Sequence, residues 1–110
     1  MGQPKKRPFS IYDIDGIIKS RLAASGDKSY TKSLIDKGAV HCAKKFGEEA
    51  VEFVIATTQA DPVATTAEAA DVLYHLLVAL QASHIPLEKV LSELERRTGT
   101  SGHEEKAARG

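Results

Sequence analysis

The sequence predicts an all-α fold: a helical bundle with two central antiparallel helices carrying facing carboxylates, completed by dimerisation. Two observations predict it. Apolar residues recur at helical spacing in every long segment, and no segment alternates as a strand does. Aromatic residues, which sheets favour, make up only 5% of the chain. The third element, dimerisation, follows from size. A chain of 110 residues suits one domain, and a domain this small buries only about two-thirds of its unfolded surface. The expected layout is an N-terminal arm over 1–9 and a single domain over 10–110.

The arm, MGQPKKRPF, has two prolines and three basic residues and no period. Ser10 is placed to cap the first helix, with Asp13 in the capping-box position. Ile11, Ile14, Ile18 and Leu22 then form one apolar stripe. Ser25, Gly26 and Asp27 stop it. The segment from Ser29 to Lys37 reads as a short helix interrupted by Gly38. The next helix runs from about Ala39 to about Ala60, and Val40, Ala43, Phe46, Ala50 and Val54 keep one face apolar. Gly47 within it costs about 1 kcal/mol against alanine, which points to a close approach by another backbone.

Asp61-Pro62 marks the next boundary, an acid fit to cap and a proline fit for the first helical position. The helix it opens extends to about Ser83 on Ala69, Val72, Leu73, Leu76, Leu77 and Leu80. A further helix from Pro86 to about Arg97 uses Leu87, Val90, Leu91 and Leu94. Residues 98–102 read as a loop and 103–109 as a final turn or two.

Composition excludes several function classes. With 42% hydrophobic and 27% charged residues the chain is neither a disordered tail nor a collagen-like repeat. Fifteen basic residues balance fifteen acidic ones, against a general nucleic-acid binder. Cys42, the one cysteine, has no internal disulfide partner, which points to a reducing cytoplasm. The longest unbroken apolar run is about six residues, around Leu76 to Leu80, so no membrane span is expected. No apolar signal core follows the basic arm.

The balanced total hides an uneven distribution. No Lys or Arg occurs between Phe46 and Glu88, a stretch holding Glu48, Glu49, Glu52, Asp61, Glu68, Asp71 and Glu88. At about 100° per residue, Glu48, Glu49 and Glu52 share one arc of their helix, with Lys45 a turn before Glu49. Glu68 and Asp71 lie about 60° apart on the next helix, and His75 continues their stripe. A short link makes the two helices antiparallel neighbours, so their acidic faces can meet. Two carboxylates 6 Å apart repel by about 3 kcal/mol at an effective dielectric of 20. Several converging call for a cation, and an all-oxygen donor set suits Mg²⁺. The competing reading is solvated helix faces, with Glu68 closing a capping box on Thr65.

E-E-x-x-E at Glu48, Glu49 and Glu52, a gap of fifteen, then E-x-x-D at Glu68 and Asp71 resembles the MazG-type all-α nucleotide pyrophosphatases. SYT at Ser29–Thr31, KKFGEEAVE at Lys44–Glu52, EAADVLYHLLVAL at Glu68–Leu80 and SGHEEKAAR at Ser101–Arg109 resemble the phosphoribosyl-ATP pyrophosphatase family of histidine biosynthesis. The resemblance covers roughly residues 10–109. It implies Mg²⁺-dependent hydrolysis of the α–β phosphoanhydride of phosphoribosyl-ATP by a cytoplasmic homodimer. It also implies that Glu49, Glu52, Glu68 and Asp71 hold the metal. Glu48 matches a position that either polarises the water or makes an outer contact.

The residues fit that chemistry independently, because anhydride hydrolysis needs charge neutralisation and a positioned water rather than covalent catalysis. The catalytic candidates are Glu48, Glu49 and Glu52. With no Gly-rich phosphate loop, the metal must do most of the phosphate binding. Lys44 and Lys45 are candidates for phosphate oxygens, or form a basic helix face. Arg97, Ser101, Lys106 and Arg109 are candidates for the phosphoribosyl end, or a solvated tail. Tyr30 either stacks on the adenine or packs in a core. His75 is expected to hydrogen-bond a carboxylate rather than bind Mg²⁺. The alternatives are a housecleaning nucleoside triphosphate pyrophosphatase and a non-enzymatic helical dimerisation module.

Overall fold

The computed structural model describes residues 7–23 and 30–99. The expected stop at 25–27, Ser29, and the C-terminal segment with Ser101, Lys106 and Arg109 lie outside the described residues. The described residues form five helices and no strand: α1 (Ile11–Ala23), α2 (Tyr30–Asp36), α3 (Ala39–Thr58), α4 (Pro62–Ala82) and α5 (Leu87–Thr98). The all-α expectation is met.

At the start of α1, the Asp13 carboxylate accepts from the Ser10 backbone N–H at 2.8 Å, the acid half of the expected box. It also holds Arg7, whose guanidinium donates at 2.6 and 2.7 Å. Ile18 is fully buried, with Ile11 and Ile14 packed beside it, so the isoleucine stripe faces the core. Gly38 is the N-cap of α3 at φ 98°, a left-handed setting that suits glycine.

The pair α3 and α4 forms the spine. Only Gln59 to Asp61 separate the two helices, so they fold back on each other as antiparallel neighbours. Their turn is a Schellman motif: Asp61 N–H donates to Ala56 O and Ala60 N–H to Thr57 O, with Ala60 at φ 55°. Asp61 then caps α4, its carboxylate accepting from Ala64 N at 3.0 Å, with Pro62 at the first position. The helix therefore starts before Thr65, and the Thr65–Glu68 capping box is not formed. His84, at φ 59°, ends α4 in a second Schellman turn, with Ile85 N–H on Leu80 O.

The core joins Ile18, Leu34, Cys42, Leu77, Val78 and Leu87, one or more from each helix. The Cys42 thiol donates to Leu34 O at 3.1 Å, and burial pushes its pKa up. Helix α5 is attached through Leu87 and Leu91.

Two expectations are corrected here. The Val40–Val54 stripe of α3 is not its buried face: Val40 is 86% exposed and Val54 56%, with Phe46 and Ala50 half-buried. The packed face runs through Cys42, Glu49, Phe53 and Ala56, a heptad-like spacing offset by one to two residues. A short-link antiparallel neighbour selects the face, and the apolar residues left over remain outside. Second, a Cβ at Gly47 would meet nothing within 4 Å, so no backbone approaches it closely among the described residues. By length and composition alone α4 passes for a membrane-crossing helix, with a window of mean hydropathy 1.3. Its alanines and leucines reach that value without an unbroken run. The same helix carries Glu68 and Asp71, each costing about 3 kcal/mol at a bilayer centre, and packs along α3.

Candidate metal centre

Glu49 on α3 and Glu68 and Asp71 on α4 each offer a carboxylate oxygen, and these oxygens lie within 4.8 Å of one another. The antiparallel pairing brings them together: Glu49 lies on the packed face of α3, and Glu68 and Asp71 lie three apart on one side of α4. Glu49 and Glu68 are half-buried and Asp71 is exposed. Partial burial raises the Glu68 pKa first, and the charges of Asp71, Glu49 and Glu52 raise it further. Glu52 is exposed and outside the trio, yet close enough for its charge to act on Glu68. Three carboxylates with oxygens this close, offering only oxygen donors, fit a hard divalent cation.

Glu48 turns aside from the trio and pairs with Lys45, Nζ to Oε1 at 3.3 Å. That hydrogen bond is the first cause of a raised Lys45 pKa, followed by Tyr30, and Glu49 contributes as well. So Lys45 stands between Glu48, the tyrosine and the acid cluster. Lys44 is exposed.

A second cluster adjoins the first. His75, one turn after Asp71 on α4, is 6% exposed and its Nδ1 has no hydrogen-bond partner among the described residues. Tyr30 meets its ring edge to face at 6.3 Å between centroids, and Tyr74 does so at 5.2 Å. Burial lowers the imidazole pKa, against the raising charges of Glu49 and Asp71. Thr31 is fully buried, and its hydroxyl hydrogen-bonds the Tyr74 hydroxyl. The expected carboxylate hydrogen bond of His75 is not formed among the described residues.

The family model for phosphoribosyl-ATP pyrophosphohydrolase matches residues 11–98. The chain belongs to this family. The phosphoribosyl-ATP pyrophosphatase of Methylobacterium nodulans is 57% identical over 101 residues, spanning 92% of this chain and 94% of the relative. Phosphoribosyl-ATP pyrophosphatase 1 of Bradyrhizobium diazoefficiens is 56% identical over 101 residues, spanning 92% and 95%. The phosphoribosyl-ATP pyrophosphatase of Agrobacterium fabrum is 54% identical over 101 residues.

Within this family member, the structure brings Glu49, Glu68 and Asp71 together, with Lys45, Tyr30 and His75 beside them. It places Arg97 on α5, where its Nε donates to Glu93 at 2.8 Å. Sequence reasoning assigned no role to Thr31 or Tyr74. Their only signal was membership of the words SYT and DVLYH. A hydroxyl pair 43 residues apart in sequence leaves no local spacing to detect.

Proposed function

We propose that the chain hydrolyses the α–β phosphoanhydride of phosphoribosyl-ATP to phosphoribosyl-AMP and pyrophosphate, an early step of histidine biosynthesis, with Mg²⁺ as cofactor. One observation carries the reading: three carboxylates from two helices converge in a member of the phosphoribosyl-ATP pyrophosphohydrolase family. Glu49, Glu68 and Asp71 are the residues that would hold the ion. Held there, a divalent cation would supply charge neutralisation at the phosphate oxygens and would acidify a bound water.

The remaining residues divide the other tasks. Glu52, expected from the resemblance as a fourth metal ligand, lies outside the trio, and its assigned task is to accept the proton of the attacking water. Glu48 holds Lys45, and the ammonium is thereby set between the cluster and Tyr30, where it can meet an anionic phosphate. Tyr30 presents an exposed ring beside the cluster, suited to stack on the purine. Arg97, Ser101, Lys106 and Arg109 are assigned to the phosphoribosyl end, within a single domain spanning 10–110.

The working form is a cytoplasmic homodimer that engages neither nucleic acid nor membrane. Val51, Val54 and Ile55 on α3, Leu73 on α4 and Leu94 on α5 are exposed apolar residues that a second copy would cover. Light scattering at micromolar concentration should give twice the 11.9 kDa chain mass.

A pyrophosphate-release assay decides the activity. Turnover of phosphoribosyl-ATP that needs Mg²⁺ and exceeds turnover of deoxynucleoside triphosphates is expected. Preference for the triphosphates would replace this reading with the housecleaning one, and no release would leave a helical dimerisation module. Removing Ser101–Gly110 should damage turnover of phosphoribosyl-ATP while the helical circular dichroism is kept.

A further inference from the structure

His75 is the buried polar group that the proposed chemistry leaves unused. A buried polar atom without a partner costs about 1–3 kcal/mol, and Nδ1 of His75 is such an atom among the described residues. The ring's aromatic neighbours do not supply the missing bond. Tyr30 and Tyr74 meet it edge to face, and the Tyr74 hydroxyl is engaged by Thr31. The charged groups acting on the ring are Glu49, Lys45 and Asp71, with Glu49 the strongest. Lys45 is engaged by Glu48. Asp71 is exposed on the same helix, whereas Glu49 is half-buried on the facing one.

We propose that His75 is a positioning residue for Glu49: the neutral imidazole donates from Nδ1–H to the Glu49 carboxylate when a divalent cation occupies the cluster. The inference rests on the metal reading of that cluster. Before a cation binds, Glu49 faces the repulsion of Glu68 and Asp71. With a cation bound that repulsion is offset, and a carboxylate with one oxygen on the ion has a second free to accept. A metal-binding carboxylate that lacks such an outer hydrogen bond is held loosely, and losing one costs about 10- to 100-fold in metal affinity. The flanking tyrosines pack edge to face on the ring and limit its rotation.

Calorimetric titration of the metal-free full chain with MgCl₂ tests this, alongside melting by circular dichroism. His75→Leu removes the donor, and about 10- to 100-fold weaker Mg²⁺ binding is expected. His75→Asn places an amide N–H where Nδ1 stood and should recover most of the affinity. His75→Gln, whose amide matches the far nitrogen instead, should not. Wild-type affinity in His75→Leu, or equal affinity in His75→Asn and His75→Gln, overturns the proposal. If His75→Leu does not melt cooperatively, the Asn and Gln variants decide alone. Glu49→Gln separates the two failures. If Glu49→Gln binds Mg²⁺ like the wild type, the metal reading itself falls and this inference with it. If Glu49→Gln loses binding and His75→Leu does not, only the role of His75 is wrong.

Discussion

The hydroxyls of Thr31 and Tyr74 hydrogen-bond across the contact between α2 and α4, beside the edge-to-face contact of Tyr30 with His75. Thr31 is fully buried and follows Tyr30 directly, so anchoring Thr31 turns the Tyr30 ring toward His75 and the acid cluster. A short helix of seven residues has little stability of its own. Its place is decided by this bond and by the burial of Leu34.

Breaking the bond should therefore loosen the site as well as the fold. Thr31→Val leaves the Tyr74 hydroxyl without its partner and should cost about 1–3 kcal/mol. Tyr74→Phe should cost less, since a threonine hydroxyl can turn to a nearby carbonyl. Urea denaturation of both single variants and the double variant gives the coupling directly. A coupling near zero would mean that the hydroxyls are neighbours only. KM for phosphoribosyl-ATP should rise in Thr31→Val, because Tyr30 loses its orientation.

The acids should trade stability against activity. Glu49→Gln, Glu68→Gln and Asp71→Asn each remove repulsion from the metal-free cluster, so the apo protein should melt at the same temperature or higher. Mg²⁺ stabilises only what it binds, so the rise in melting temperature on adding it should be large in the wild type and small in these variants. Turnover should fall by orders of magnitude. Glu52→Gln should keep most of the Mg²⁺-induced rise and still lose turnover, since its assigned task is the proton. Lower apo melting with near-normal turnover across the set would reject the site.

Acid should act on this protein with two opposite signs. Glu68 has a raised pKa, so its ionisation weighs against the fold; stability is greatest below the ordinary glutamate value of 4.5 and is lost as pH rises through the raised folded value. Asp13 beside Arg7 and Glu93 beside Arg96 and Arg97 have lowered values, Glu93 down to about 2. Their contribution is present above the ordinary carboxylate range and is lost as pH falls from there through the lowered folded values. Urea midpoints of the metal-free protein should rise slightly on acidifying toward pH 4.5 and fall below it. The rise should vanish in Glu68→Gln, and the fall should be smaller in Asp13→Asn. A rise that survives in Glu68→Gln assigns it to another group.

Two helix ends hold non-glycine residues in the left-handed region, Ala60 at φ 55° and His84 at φ 59°. The left-handed setting costs an L-residue about 1–2 kcal/mol, part of which glycine's greater freedom in the unfolded chain takes back. Ala60→Gly and His84→Gly should each raise stability by about 0.5–1 kcal/mol. Asp61→Ala, which removes the α4 cap, should lower it by about 1 kcal/mol. Melting temperatures check all three, and a drop in Ala60→Gly would show that its methyl packs usefully.

The helices, their order and most of their ends were legible in the sequence, because caps and punctuation act within a few residues. Asp13 folds back on Ser10, Asp61 caps α4 with Pro62 behind it, and the isoleucines of α1 repeat at helical spacing. The acidic character of the centre was legible as well, since no basic residue interrupts the stretch from Phe46 to Glu88. Which face of α3 turned inward was not. Period alone permits the Val40–Val54 stripe and the Cys42–Ala56 face equally, and only the fit against α4 chose between them. That choice turned Glu49 into the cluster and left Glu48 to Lys45. The same holds for His75, a polar residue buried between two tyrosines, one of them, Tyr30, 45 positions earlier in the chain. Local chemistry fixes where a helix begins and ends, whereas the neighbour a side chain meets depends on how whole helices pack. Tertiary packing decided the acid cluster, and the sequence decided the elements that build it.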